Sequence, residues 1–308
     1  MVEPRTKIQG TKIEGVTVDV DDLINVRLYL SGFSLRNFHK TTSRGTQRTR
    51  VRGRGMEYEE SRAYVAGDDV KAMDWRVMAR TGEAHTKVYA EERERAFQLA
   101  VDLSPSMFFG TRFGFKSWAA AQVAAHIGWL ATLASEQLGG LVASIEALYP
   151  VQPVKTRSGL MSLFSCLAKS CDRDLPVPTE ASLLNSMLIE LRKVKSGSTL
   201  ILISDFLGID DDTPGLLQTL ASQQDVSAVW VHDLSETDEW HPGAYPVKIG
   251  SRSITLDTRH SLVANLLSQQ QKNHRKTVEA LMRQFNIPLH SVSCNQEITS
   301  QLNPILKN

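Results

Sequence analysis

The fold that we predict for this chain rests on residues 97–107, which read Phe97-Gln98-Leu99-Ala100-Val101-Asp102-Leu103-Ser104-Pro105-Ser106-Met107. The first half is a continuous apolar run, which is typical of a parallel strand covered on both faces. The second half places Asp102, Ser104 and Ser106 at alternate positions, and alternate residues of an extended loop turn to the same side. The sequence therefore predicts a buried strand that delivers one carboxylate and two hydroxyls to a common point.

A second apolar run has the same form further along the chain. It reads Thr199-Leu200-Ile201-Leu202-Ile203-Ser204-Asp205 and also ends in an aspartate. In open α/β sheets, ligands bind outside the carboxyl ends of the strands at a topological switch point. We therefore expect Asp102 and Asp205 to face the same crevice.

Apolar runs and helical patterns alternate from about residue 95 onward. They predict strands at 96–102, 199–205, 226–231 and 288–292, a strand pair at 138–156, and helices at 114–135, 158–171, 180–195, 214–223 and 260–285. This alternation favours an α/β fold with a doubly wound, mostly parallel sheet and right-handed crossovers. We predict that this domain covers residues 91–308. A small N-terminal segment, helical at about 21–40 and then β-rich, precedes it over residues 1–90.

The residues Asp102, Ser104, Ser106 and Asp205 offer only oxygen atoms as ligands. Carboxylates and hydroxyls suit a hard divalent cation, so we expect Mg²⁺ at this place, with Mn²⁺ or Ca²⁺ as alternatives. A simpler interpretation also stands, because aspartates and serines at strand ends often cap helices and turns.

The Asp-x-Ser-x-Ser stretch after its buried strand resembles the metal-ion-dependent adhesion site of von Willebrand factor A domains. The resemblance implies one more hydroxyl ligand from a loop ahead of the second aspartate. Ser182 is our candidate for that ligand and Thr179 is the alternative. The resemblance also implies that an acidic residue of a partner protein fills the open position on the metal.

Several motifs stand in a fixed order between residues 57 and 88. Arg-x-Tyr-x-x-Gly-Asp-Asp begins at Arg62, Asp-Trp begins at Asp74, and Ala-Arg-Thr-Gly begins at Ala79. Followed by Asp-x-Ser-x-Ser-Met, this order resembles the bacterial family catalogued as domain of unknown function fifty-eight, over about residues 25–290. The resemblance implies a von Willebrand A-like fold preceded by a β-rich segment. It also implies a working link to MoxR-type AAA+ ATPases that assemble, activate or remodel other proteins.

The motif segment has two interpretations. Buried charges need partners, so Arg62, Asp74 and Arg80 predict an ion-pair network around Tyr64 and Trp75 that holds the β-rich segment on the α/β domain. The alternative is an interaction surface, which would consist of Arg62, Gly67, Asp68, Asp69, Asp74, Trp75 and Arg80.

Composition and motifs argue against several other classes of protein. The net charge of +1 gives no overall field that attracts nucleic acid or membrane. The sequence contains neither a Gly-x-x-x-x-Gly-Lys-Ser/Thr loop nor a Gly-x-Gly-x-x-Gly motif, so no motif supports nucleotide binding. No run approaches the roughly 20 apolar residues of a membrane span, and the N-terminus lacks the pattern of a signal peptide. With three cysteines and thus no disulfide framework, we expect a cytoplasmic protein.

We predict a metal-dependent protein–protein interaction module, an adaptor between a MoxR-type ATPase and an unknown client protein, with no catalytic residues. One alternative is a metal-dependent hydrolase, in which the same cation activates a water molecule. Another alternative is nucleic-acid binding through an arginine-rich strand with Arg48, Arg50, Arg52 and Arg54 on one side. Glutamates follow that run at once, which favours a solvated or acid-paired strand instead.

Overall fold

A computed structural model describes residues 15–35, 56–65, 68, 70–91, 96–171, 183–236, 242–249 and 252–306. The chain divides into two compact units, which are residues 1–40 together with 95–308, and residues 41–94. The helices are α1 Val20–Asn25, α2 Trp75–Thr81, α3 Lys116–Leu133, α4 Arg157–Cys171, α5 Leu183–Leu191, α6 Thr213–Gln223, α7 Ser261–Gln284 and α8 Ile298–Leu306. The strands are β1 Met56–Ala63, β2 His85–Glu91, β3 Ala96–Leu103, β4 Gln137–Ser144, β5 Leu148–Val154, β6 Thr199–Ser204, β7 Asp225–His232, β8 Ala244–Ile249, β9 Arg252–Asp257 and β10 Leu289–Ser293.

The larger unit is built around a six-stranded sheet with the order β10-β7-β6-β3-β4-β5. Five strands run parallel, and only the edge strand β5 pairs antiparallel with its neighbour β4. Counted from β3, the chain first adds strands on one side and then returns to add β6 on the other. This confirms the predicted doubly wound, mostly parallel sheet, and its switch point lies between β3 and β6.

Helices cover both faces of this sheet, and each face has its own apolar core. One core holds Leu99 and Val101 of β3 with residues of α1, α3, α4 and α8. The other holds Ala100 of β3 with residues of α5, α6 and α7. Because successive side chains of a strand point to opposite faces, β3 contributes side chains to both cores. Its sequence is therefore a continuous apolar run.

The N-terminal helical stretch of the sequence is shorter than we predicted. It consists of α1 followed by a 3₁₀ turn, Val26–Tyr29, and the two lie in the larger unit. The Trp129 indole of α3 donates a hydrogen bond of 3.0 Å to the carbonyl of Leu23 in α1. The segment is thus grouped with the sheet, whereas the sequence grouped it with the β-rich residues that follow.

Four other elements differ from the sequence-based expectation. The helix expected at 180–195 spans Leu183–Leu191 within the described residues. The antiparallel pair of β8 and β9 and the helix α8 have no counterpart among the predicted elements. No helix in the part of the chain that the structure describes combines the length and apolarity needed to cross a membrane.

The smaller unit has an antiparallel pair of β1 and β2, a short 3₁₀ turn at Val70–Ala72, and α2. The backbone of Asp74 donates to the carbonyl of His85, and Tyr64 donates to the carbonyl of Ala84, each at 2.8 Å. These bonds fix the two ends of the connection between the strands, which carries the Gly-Asp-Asp and Asp-Trp motifs.

Candidate functional site

The side chain of Asp102 lies at the carboxyl end of β3, beside the switch point, and is buried. Its Oδ1 accepts a hydrogen bond of 2.9 Å from the backbone N–H of Ser104. Its Oδ2 accepts a hydrogen bond of 2.7 Å from the hydroxyl of Ser204, the last residue of β6. Neighbouring strands therefore hold both carboxylate oxygens in place.

The two serines of the Asp-x-Ser-x-Ser stretch lie between the two aspartates. Pro105 begins a 3₁₀ turn after Ser104, which brings the Ser104 and Ser106 hydroxyl oxygens to 3.1 Å from each other. Each hydroxyl also interacts with one carboxylate, Ser104 with Asp102 and Ser106 with Asp205, and each opposes the rise that burial causes in the pKa of that carboxyl. A chain of polar contacts thus runs from one carboxylate to the other.

The second aspartate, Asp205, follows β6 directly and is also buried. Its Oδ1 accepts a hydrogen bond of 3.0 Å from the N–H of Leu207. The structure therefore brings together Asp102, Ser104, Ser106 and Asp205. The remaining candidates, Ser182 and Thr179, lie outside the described residues.

The structure adds a residue that the sequence analysis missed. Lys116, the first residue of α3, is completely buried, and its Nζ lies 2.8 Å from Asp205 Oδ2 and 2.6 Å from Glu236 Oε1. Lysine is almost never fully buried unless it is paired. The one signal in the sequence is a charged residue at the start of a helix that is otherwise apolar almost all round.

The electrostatics differ between the two aspartates. Burial and the nearby charge of Asp205 raise the pKa of Asp102 to about 6. Burial would also raise the pKa of Asp205, but the ammonium of Lys116 outweighs it and lowers that pKa below its ordinary value. Burial would lower the pKa of Lys116, and its two carboxylate partners raise it instead. The cluster formed by Asp102, Asp205, Glu236 and Lys116 therefore contains three carboxylates and one ammonium.

These residues fit a hard divalent cation. All the donors are oxygen atoms, two hydroxyls and two carboxylates, which is the ligand chemistry that Mg²⁺ prefers. Among the residues described, Asp102 forms no ion pair, so its charge lacks a cationic partner in the cluster. The described residues contain no group of three or more His, Cys, Asp or Glu side chains arranged for a metal, so the two serines would have to contribute.

A second polar cluster fixes the loop that carries Glu236. The N–H of buried Asp233 donates to Glu236 Oε2 at 3.0 Å. The Asp233 carboxylate accepts from the N–H and hydroxyl of Thr111 and from the N–H of Ser235, each within 3.0 Å. Cys294 Sγ lies 3.4 Å from the same carboxylate, and burial raises the pKa of this thiol, so it remains protonated.

The motif segment of the smaller unit forms different contacts from those predicted. Arg62 pairs with Asp68 at 2.7 Å and not with Asp74, so the expected network of Arg62, Asp74 and Arg80 is wrong. The Asp74 carboxylate instead caps α2 through the N–H groups of Arg76 and Val77 and accepts from the Ser61 hydroxyl. The local reason is that Asp74 directly precedes a helix, where a carboxylate meets unpaired N–H groups.

Part of the predicted interaction surface can be placed. Trp75 is 61% exposed, and Val65 and Val70 in the same unit are also exposed. Gly67, Asp69 and the arginine run at residues 48–54 lie outside the described residues. Exposed apolar side chains in the same small unit agree with an interaction surface, although single exposed apolar residues are also normal on proteins.

This chain is similar to a known protein family and to several known proteins. The model of the family described as "Protein of unknown function DUF58" matches residues 60–277. The uncharacterized protein Rv1480 of Mycobacterium tuberculosis is 33% identical over 184 residues, which are 59% of this chain and 57% of that relative. The chain therefore spans little more than half the length of this curated relative.

Solved structures match parts of this chain at low identity and with low TM-scores. The conserved hypothetical protein BatB from Bacteroides thetaiotaomicron is 11% identical, with a TM-score of 0.37 over 67% of this chain and 93% of that chain. The SpRpn10 VWA domain is 12% identical, with a TM-score of 0.37 over 68% of this chain and 94% of that one. The fold assignment itself rests on the strand order of the central sheet. With a family model that matches 60–277, this chain belongs to the DUF58 family of proteins of unknown function, and its larger unit has a doubly wound, mostly parallel α/β fold.

Proposed function

We propose that this protein is a protein-interaction module that binds its partner at the carboxyl edge of β3 and β6, through a divalent cation. Asp102, Ser104, Ser106 and Asp205 would hold the cation, directly or through water. The cation would leave a coordination position open to a carboxylate of the partner protein. In this proposal the chain's own residues bind and orient, and none of them acts as a catalyst.

The observation that carries the proposal is the convergence of these four side chains at the switch point. Three separate bonds, from the Ser104 N–H, the Ser204 hydroxyl and the Leu207 N–H, orient the two carboxylates. An arrangement that only capped turns would not need two buried carboxylates joined through two hydroxyls. Buried carboxylates without matching cations are costly, and a bound divalent cation would remove that cost.

The surroundings of the site support a protein as partner. Three large apolar side chains lie partly exposed on the loops that follow β3 and β6, namely Phe109, Phe113 and Leu207. Phe109 is also 5.9 Å from the ammonium of Lys116, measured to the ring centroid. Apolar and aromatic side chains around a polar centre are frequent in the buried parts of protein interfaces.

The family resemblance supports a MoxR-type AAA+ ATPase as one partner, with the chain as an adaptor for a client protein. The client would contribute the carboxylate, and the ATPase would bind elsewhere. The exposed residues Val65, Val70 and Trp75 of the smaller unit are the candidate surface for the second contact. In this proposal the larger unit binds the client protein and the smaller unit binds the ATPase.

The experiment is affinity capture from a native lysate with three baits and two metal conditions. The baits are the natural chain, Asp102→Ala, and Asp211→Ala as a control that removes an exposed carboxylate from the loop after β6. We expect partners that are recovered with Mg²⁺ by the natural chain and by Asp211→Ala, and that are lost with EDTA or with Asp102→Ala. Equal recovery in all conditions would contradict a metal-dependent interface.

The hydrolase alternative is tested with the same variants. Hydrolysis of a phosphoester in the presence of Mg²⁺ or Mn²⁺, lost in Asp102→Ala and retained in Asp211→Ala, would assign a catalytic role to the cation. Absence of turnover together with metal-dependent capture is the result that our proposal expects.

A further inference from the structure

The buried ammonium of Lys116 has a fixed position beside the candidate metal site. The backbone N–H of Lys116 donates to the carbonyl of Phe109 at 2.9 Å, which fixes the start of α3 against the loop after β3. The side chain has no exposed surface, and its Nζ contacts Asp205 Oδ2 and Glu236 Oε1. The ammonium therefore cannot leave Asp205 for solvent without opening the loop.

Glu236 is the second carboxylate that holds the ammonium. Its Oε1 accepts from Lys116 Nζ and its Oε2 accepts from the N–H of Asp233 in its own loop, so both carboxylate oxygens have a partner. The backbone of this loop is tied in turn to Asn295, whose Oδ1 accepts the N–H of Leu234 at 2.8 Å. Lys116 is thus shared between a site residue, Asp205, and a residue outside the site, Glu236.

We propose that Lys116 is an internal cation that competes with a divalent metal for Asp205 and thereby sets the metal affinity of the site. The proposal rests on the proposed function, since it concerns the same four ligands. The competition has two parts. Asp205 Oδ2 is already engaged by an ammonium, and a positive charge beside the site repels a second cation.

The role of Glu236 follows from the same geometry. This second carboxylate neutralises part of the ammonium charge and competes with Asp205 for Lys116. If Glu236 were neutral, the ammonium would pair with Asp205 alone, and the cluster would lose one negative charge. Removal of both charges would leave the net charge of the cluster unchanged while freeing Asp205 to bind the metal.

Titration calorimetry of the full chain with Mn²⁺, repeated with Mg²⁺, tests this competition. The variants are Glu236→Gln, the double variant Lys116→Met with Glu236→Gln, and Asp102→Asn as the variant that removes a metal ligand. We expect the double variant to bind at least about tenfold more tightly than the natural chain, and Glu236→Gln to bind about threefold or more weakly. The double variant is charge-matched to the natural chain, so a difference between them reports the release of Asp205 and not the total charge.

The outcomes separate this inference from the proposed function. If the double variant binds no more tightly than the natural chain, and Asp102→Asn still abolishes binding, the competition is wrong and the metal site stands. If no variant binds Mn²⁺ or Mg²⁺, both proposals fail. If circular dichroism shows that the double variant is unfolded, the test rests on Glu236→Gln. Metal binding by Glu236→Gln that is unchanged or tighter than in the natural chain would contradict the competition.

Discussion

The hydroxyl of Ser204 lies 2.7 Å from Asp102 Oδ2 and donates a buried hydrogen bond to it. The bond joins the ends of β3 and β6, the two strands on either side of the switch point. The same hydroxyl oxygen accepts the N–H of Phe206, which has a positive φ of 55°. One serine therefore positions a candidate metal ligand and stabilises the unusual backbone beside Asp205.

We predict that Ser204→Ala lowers the free energy of unfolding by about 1–3 kcal/mol, because two buried partners lose their hydrogen bond. The measurement is urea unfolding followed by circular dichroism. The variant should also weaken the binding of Mn²⁺, since Asp102 Oδ2 is no longer held in place.

A matched control for this serine exists on another strand of the same sheet. Ser144 ends β4 and is buried, but its hydroxyl has no hydrogen-bond partner among the described residues. Ser144→Ala should leave the free energy of unfolding unchanged or raise it slightly, because it removes a buried polar group without a partner. Equal losses of unfolding free energy in the two variants would show that the hydrogen bond from Ser204 does not stabilise the fold.

We predict that Asp102→Asn stabilises the metal-free protein at pH 8. The pKa of Asp102 is raised to about 6, so its charge is unfavourable in the fold above that pH. The neutral amide removes this cost, and the free energy of unfolding should rise by about 1–3 kcal/mol. Urea unfolding at pH 8 in EDTA measures the effect.

The sign of this effect depends on pH and on metal. The folded state takes up the proton of Asp102 more readily than the unfolded state, so the natural chain gains stability from this residue as the pH falls from about 6 toward 4. The advantage of Asp102→Asn should therefore shrink over that range. In Mg²⁺ at pH 8 the order should reverse, because the variant loses the ligand that a bound cation would stabilise.

Much of the sheet could be predicted from the sequence because the parallel strands are buried on both faces. Continuous apolar runs mark β3 and β6, and each run ends in the aspartate that we predicted as a site residue. The two serines were found because they flank Pro105 directly after the first of these runs. In contrast, α8 contains Pro304, and a proline inside a segment is typical of a helix end, which hides this helix in the sequence.

Lys116 and Glu236 could not be predicted because their roles depend on topology. Lys116 is separated from Asp205 by 89 residues and from Glu236 by 120. Only the assembled sheet brings the start of α3 beside the loops after β6 and β7. Within the motif segment, Arg62 pairs with Asp68 and not with Asp74 because of the turn geometry and because Asp74 caps the helix that follows it. The turn geometry and the helix cap cannot be inferred from charge alone.

The close packing of β3 and β4 gives a prediction about glycine. A Cβ atom on Gly140 of β4 would lie 2.5 Å from the carbonyl oxygen of Leu99, which is backbone and cannot move aside. Gly140→Ala should lower the free energy of unfolding by about 1–3 kcal/mol or more. Thermal or urea unfolding provides the measurement.

Gly215 in α6 is the matched control for Gly140. A Cβ atom there would meet nothing within 4 Å, and the residue lies in the first turn of the helix. Gly215→Ala should therefore raise the free energy of unfolding by about 0.5–1 kcal/mol, since alanine favours the helix. A loss of stability at Gly215, or none at Gly140, would contradict the packing described for these strands.

Buried His126 gives a prediction about acid stability. It lies in α3, with its Nδ1 at 2.7 Å from the carbonyl of Gln122 and its Nε2 at 3.1 Å from the hydroxyl of Thr299 in α8. Burial lowers the pKa of this histidine below its ordinary value, so the folded protein keeps the ring neutral. The unfolded chain binds the proton more readily. The stability that the neutral ring contributes is therefore present above an unfolded pKa of about 6.5 and is lost as the pH falls below it.

The variant His126→Gln isolates this contribution. The amide can accept or donate at the same place but does not titrate, so its free energy of unfolding should fall less between pH 7.5 and pH 5.5 than that of the natural chain. Because burial also lowers the pKa of His232 and His290, the slope in His126→Gln should be reduced and not abolished. A slope that is the same in His126→Gln and in the natural chain would mean that the ring is not kept neutral by burial.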